Sequence, residues 1–280
     1  MGLFSGLESL GLGKMNNSEV FEKESATETG EKGEVKAKKS EADVLFDKTY
    51  NCPVCGNEFT SKMIRAGKNK LVEQELDLRA KYEMADAVKY DAIVCGKCGF
   101  AALTRFFKPM PVAQEKLIRD NISCNFKGLK QPEGVYTYDD AIVRYKLVLA
   151  STVVKNGKDS EKAYVCLKMA WVYRGKAETL PEDTPDKEAV LKQLKASEME
   201  CLANAYEGFN KAFSNESFPM CGMDETTVTY LVAEIARRIG KYEEAGRWIS
   251  QILVSKTAGE RVKDRARTVK ELIAKEKEKQ

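Results

Sequence analysis

Histidine is absent from all 280 residues of the sequence. Without it, neither a Ser-His-Asp nor a Cys-His nucleophile can be assembled. A His-Glu zinc hydrolase site and a two-Cys, two-His finger are excluded on the same ground. Lys, Tyr, carboxylates and thiols remain available, but the commonest proton carrier at neutral pH is missing. The composition therefore points to a non-enzymatic binding protein. Long apolar runs are also missing: none approaches the roughly 18–20 residues that cross a bilayer. No leader with a charged start and an apolar centre opens the chain, so a cytoplasmic protein is expected. A strong charge of either sign is lacking too. With 46 basic and 43 acidic residues the formal charge is +3, too small to demand a nucleic-acid or membrane partner by itself.

What the chain does have is cysteine in pairs. Cys52-Pro53-Val54-Cys55-Gly56 and Cys95-Gly96-Lys97-Cys98-Gly99 are two Cys-x-x-Cys-Gly knuckles. The two-residue gap lets both sulfurs of a pair reach one ion at about 2.3 Å. Glycine after the second cysteine suits a backbone with positive φ. Two knuckles complete a four-sulfur tetrahedron that leaves no open position for a substrate. Cys52, Cys55, Cys95 and Cys98 are thus expected to hold one structural Zn2+ per chain. Iron fits the same ligands and stays open. A thioredoxin-like redox pair is disfavoured because neither knuckle sits in a βαβ context. Disulfides are disfavoured by the lack of an export signal. Cys124, Cys166, Cys201 and Cys221 read as unpaired thiols, with Cys221, between Pro219 and Gly222, expected to be the most exposed.

Around the knuckles, residues 59–65 and 90–94 read as strands. The 39 residues from Gly56 to Val94 exceed the spacing of a compact ribbon. Lys70 to Val88, rich in helix formers, is expected to be a short helical insertion. Lys62, Arg65, Lys68 and Lys70 form a small basic run that could touch phosphate, and more readily forms a solvated face. Upstream, residues 14–43 carry too little apolar surface to fold. Leu3, Phe4, Leu7 and Leu10 align on one helical face before this linker. The organisation expected is a disordered segment and linker over 1–44, a zinc-binding module over 45–110, a connecting helix and loop over 111–136, and a helical domain over 137–280.

From residue 137 the apolar period is helical and it recurs. Tyr138-x-x-Ala141-x-x-x-Tyr145-x-x-Val148 returns as Leu202-x-x-Ala205-x-x-x-Phe209-x-x-Ala212 and Tyr242-x-x-Ala245-x-x-x-Ile249-x-x-Ile252. A complementary set, Cys166-x-x-Met169-Ala170-x-x-Tyr173, returns as Thr229-x-x-Val232-Ala233-x-x-Ala236. Such alternation is that of tetratricopeptide repeats, in which small residues let paired helices approach. An ordinary helical bundle gives the same period. The fold class expected is mainly α, with a small zinc-ribbon-like α+β module before an all-α tetratricopeptide-like domain. A repeat groove makes a protein or peptide the expected partner, and Glu234, Arg237 and Arg238 are candidate partner-binding residues. The i,i+4 spacing of Glu234 and Arg238 would also explain them as a pair. A nucleic-acid-associated zinc ribbon is the alternative, and an enzyme using carboxylates or a thiol the third reading.

Five motifs occur in order: Cys52-Pro53-Val54-Cys55-Gly56, Asp77-Leu78-Arg79-x-x-Tyr82, Tyr90-Asp91-x-Ile93-Val94-Cys95-x-x-Cys98-Gly99-Phe100-Ala101-Ala102, Ala170-Trp171-Val172-Tyr173-Arg174 and Tyr230-Leu231-Val232-x-Glu234-x-x-Arg237-Arg238-x-Gly240-x-Tyr242. Together they resemble the bacterial domain-of-unknown-function family 2225 over roughly residues 45–275. The resemblance implies a zinc-plus-repeat architecture and no established activity. Asp77, Arg79 and Tyr82 read as structural, with Asp77 and Arg79 pairing with each other or with the helical domain.

Overall fold

The structure, a computed structural model, describes residues 40–278. The Leu3–Leu10 face and nearly all of the expected linker lie outside them. Residues Glu41–Val44 form a 3-10 turn in which Val44 is buried and Glu41 bonds to Lys89 and Tyr90.

Three antiparallel hairpins come first. Strands β1 (Leu45–Asn51) and β2 (Glu58–Ile64) pair from Leu45↔Ile64 to Asn51↔Glu58. Strands β3 (Leu71–Gln74) and β4 (Ala80–Tyr82) form the second hairpin. A 3-10 turn at Ala87–Tyr90 leads to the third, β5 (Ala92–Val94) with β6 (Ala101–Leu103). The expected helix over Lys70–Val88 is therefore a β-hairpin followed by a 3-10 turn. Tertiary contacts override helix propensity here. The chain reverses at Leu78, whose φ is +69°, and Asp77 beside it is drawn into the helical core by Arg174 and Arg238. The strand expected from Tyr90 begins only at Ala92.

Seven α-helices follow among the described residues, so the chain is mainly α, with small hairpins carrying the four cysteines ahead of a helical part. The short α1 (Val112–Ile118) runs into a π-helical turn, Arg119–Ser123. Then come α2 (Tyr138–Val154), α3 (Asp159–Glu178), α4 (Lys187–Asn215), α5 (Glu225–Arg238), α6 (Tyr242–Val254) and α7 (Glu260–Lys277). Thr137 starts α2 with a capping box, accepting from the Asp140 amide while Asp140 accepts from its own. Asp224 caps α5 through the Thr227 amide. Gly240, at φ +78°, ends α5 and turns the chain into α6. Each helix packs on the next, most extensively α3 on α4 and α5 on α6. Ala141, Ala170, Ala205, Ala233 and Ala245, the small residues of the repeating pattern, are all fully buried.

Residues 40–278 belong to one compact unit. Its centre is the β5–β6 hairpin, buried on both faces. Ala92, Val94, Ala101 and Leu103 join the helical core. Phe100 and Ala102 join a smaller core around the cysteines with Ile118. Ser151 of α2 accepts the Ala101 amide at 3.1 Å, fixing the hairpin to the helices.

Candidate metal centre

The two knuckles are the turns of two hairpins, and they repeat each other. Asn51↔Glu58 closes the first and Val94↔Ala101 the second. The Cys52 amide donates to Asn57 at 2.9 Å, as the Cys95 amide donates to Phe100 at 2.9 Å. Gly56 and Gly99 donate to the Cys52 and Cys95 carbonyls at 2.9 and 3.0 Å. Both glycines have positive φ, +67° and +77°, where a side chain is disfavoured by about 1–2 kcal/mol. Gly99 is constrained twice, because an added Cβ would lie 2.7 Å from the Phe126 ring.

These turns bring the four sulfurs within 4.8 Å of one another. Sulfurs of Cys52 and Cys98 are 3.5 Å apart, and those of Cys55 and Cys95 3.7 Å. A tetrahedron with metal–sulfur bonds of about 2.3 Å has edges of about 3.8 Å, so the cage has the size such an ion requires. All eight cysteines are free thiols, so no disulfide competes for the cage. Cys52, Cys95 and Cys98 are buried and Cys55 faces solvent. Hydrogen bonding from Cys52 and Cys98 holds the Cys95 thiol well below the usual thiol range, while sharing protons with Cys95 and Cys98 drives Cys52 far upward. Four clustered thiols cannot all ionise unaided, whereas a dication removes that conflict by drawing out the protons.

Residues outside the ligand set hold the knuckles. Arg119 donates twice to the Val54 carbonyl, at 3.1 and 2.8 Å. Gln131 donates to the Val94 carbonyl at 3.1 Å and accepts from Arg144, whose guanidinium lies 4.0 Å from the Tyr136 ring centre. None of these carries a motif, and sequence reasoning missed them. Only Arg144, in a largely apolar stretch of α2, hints at such a role.

The second cluster, Asp77 and Arg79, reaches the helices. Asp77 is fully buried and accepts from Arg174 of α3 at 2.6 Å, with Arg238 of α5 at 3.6 Å. Burial opposes its charge, but the two guanidiniums outweigh it and hold the carboxyl below its usual range. Arg174 also binds Glu198 at 2.8 Å and Glu75. Arg79 pairs with Asp86 and Glu178, both at 3.0 Å, and Tyr230 donates to the Leu76 carbonyl at 2.8 Å. The β3–β4 tip thus lies against α3 and α5, held by backbone and charge together.

Glu234, Arg237 and Arg238 are brought together. Glu234 is fully buried and binds Arg237 through both oxygens, at 2.7 and 2.8 Å, and Arg238 at 2.7 Å. Arg237 reaches on to Glu276 of α7 at 2.5 Å. Their side chains are 10% and 21% exposed. The basic run is partly occupied: Lys62 pairs with Asp47 at 3.0 Å, and Arg65 donates to the Leu45 carbonyl at 3.0 Å. Cys221, expected as the most exposed thiol, is half-buried with its sulfur on the Ser160 carbonyl, while Cys124 is exposed. The Pro219–Gly222 segment folds back through paired Met220 and Met223 amides, and that buries it. No described helix is long and apolar enough to cross a membrane.

No curated protein and no solved structure matches the chain. A family model described as an uncharacterized protein conserved in bacteria (DUF2225) matches residues 45–273, which covers the cysteine hairpins and nearly the whole helical part, and the chain belongs to that family.

Proposed function

We propose that the protein is a non-enzymatic, cytoplasmic scaffold in which one structural Zn2+ fixes the hairpins and the helices hold a protein or peptide partner. The observation that carries this reading is the four-sulfur cage closed by two hairpin turns. Four protein ligands satisfy a tetrahedral ion, leaving it no position for substrate. Free thiols throughout favour a reducing compartment. The α3–α4 and α5–α6 pairs, with their buried alanines, support two tetratricopeptide-like units. Their capacity to recognise extended chain is supported by the β3–β4 tip, which they already hold through Tyr230, Arg174 and Arg238. In this reading Glu234 positions Arg237 and Arg238, and Arg238, the more exposed, faces the partner.

Affinity capture from native cells with the tagged full chain tests the proposal. After nuclease treatment of the lysate, a protein should remain bound, and Arg238→Ala should weaken its capture while the melting temperature confirms a folded variant. Recovery of nucleic acid instead, lost steeply as salt rises, would replace the scaffold by the zinc-ribbon alternative.

A further inference from the structure

A cavity of about 620 Å3 lies between the β3–β4 hairpin, the Ala87–Tyr90 turn, α3 and α5, away from the cysteine cage. That volume falls within the range of small-molecule sites. Its lining is aromatic and cationic: Tyr82, Tyr164 and Trp171 stand with Arg79, Arg105 and Lys168, against one carboxylate, Asp91. Lys168 is paired with Asp91 at 2.7 Å, and Arg79 with Asp86 and Glu178. Arg105 has no acidic partner among the described residues. Its guanidinium lies over the Tyr164 ring, 5.6 Å from the centre. It also presses on Gly222, where an added Cβ would lie 2.9 Å from a guanidinium nitrogen. At this wall the Arg105 charge thus faces solvent rather than a carboxylate.

Unanswered donors belong to residues of the same lining. Four buried side-chain polar atoms among the described residues lack a hydrogen-bond partner. Two of them, Trp171 Nε1 and Arg79 Nε, belong to residues lining this cavity. Both are donors that accept nothing, and both residues are more than nine-tenths buried. Leaving such a donor unmet costs roughly 1–3 kcal/mol. A guanidinium without a carboxylate partner and two residues that each carry an orphan N–H line one aromatic cavity, a lining that suits an acceptor with negative charge. Flat rings beside them suit a flat ligand body, by stacking and by cation–π packing around Lys168, which lies 5.6 Å from the Trp171 ring centre.

We propose that this cavity binds a small ring-bearing organic anion, a carboxylate or a phosphate monoester, whose charged group meets Arg105 while its ring lies against Tyr164 and Trp171. The scaffold would then respond to a soluble metabolite-sized ligand, a property separate from its metal and its partner.

The chain has two tryptophans, Trp171 and Trp248, so Trp248→Phe leaves Trp171 as the sole indole reporter. Phenyl phosphate, benzoate and inorganic phosphate are titrated into metal-loaded full-length protein of this background, with benzyl alcohol as the uncharged ring control. Phenyl phosphate or benzoate should give a saturable change in Trp171 emission below about 10 mM, a threshold corresponding to weak but specific binding. Which of the two binds more tightly separates the phosphate from the carboxylate class. Inorganic phosphate and benzyl alcohol, each lacking half of the ligand, should bind at least tenfold more weakly. Removing one charge-assisted contact by Arg105→Ala should weaken the preferred anion by roughly 10- to 100-fold, and Arg105→Lys should recover part of that. Arg105 is surface-exposed, so its variants should melt with the parent. No saturable response to either anion would mean that water meets the buried donors, and the proposal falls. Equal affinity in Arg105→Ala, or for benzyl alcohol, would overturn it as well.

Discussion

At Asp77 a carboxylate lies out of water between guanidiniums from two helices. Removing its charge takes one carboxylate from the buried Arg174, which keeps Glu75 and Glu198, and from the half-buried Arg238, which keeps Glu234, so Asp77→Asn should destabilise the protein by about 1–3 kcal/mol at neutral pH, seen in chemical denaturation. The pH dependence has a definite sign. The folded-state pKa is depressed below 3.8, and that of Glu75 below 4.5. The stabilisation is therefore complete above these values and fades as pH falls through the folded-state pKa, below about 4. The difference between wild type and Asp77→Asn should shrink in that acid range. At this scale the sequence was most informative where chemistry repeats at fixed spacing, as in the four cysteines. It was silent on Arg119, Ser151 and Gln131. Their task is to satisfy a backbone group brought near only by folding, which leaves no local pattern.

At the scale of elements, the helices followed their apolar period closely, because each buries one stripe and the period is written in the stripe. The β3–β4 hairpin stands where the composition of Lys70–Val88 predicts a helix. Its strands are short, β3 exposed and β4 half-buried throughout, so they carry no alternation, and ion pairs tie it to α3 and α5. Two adjacent positions in α6 test the helical register with opposite signs. Ala245 is fully buried, and Ala245→Leu should overpack the interface at about 1–3 kcal/mol. Beside it, an added Cβ at Gly246 meets nothing within 4 Å. Gly246→Ala should instead stabilise by about 0.5–1 kcal/mol through helix propensity. Thermal melts of both variants check this; equal effects of one sign would refute the register.

Across the whole molecule, the cysteine cage is not a detachable module. The β5–β6 hairpin that carries Cys95 and Cys98 is buried against the helical core on one face and the cysteine core on the other. Loss of the ion should therefore lower the stability of the entire unit rather than melt a peripheral segment. Far-UV circular dichroism after chelation should show one transition at reduced temperature, with the helical signal lost together with the hairpins. An unchanged helical transition would separate the two parts.

The central claim is that the four sulfurs hold one ion, and elemental analysis of protein purified without chelator tests it most directly. One zinc per chain should be found in the wild type and none in Cys95→Ser. Metal-free wild-type protein, or a full equivalent retained by Cys95→Ser, would contradict the account.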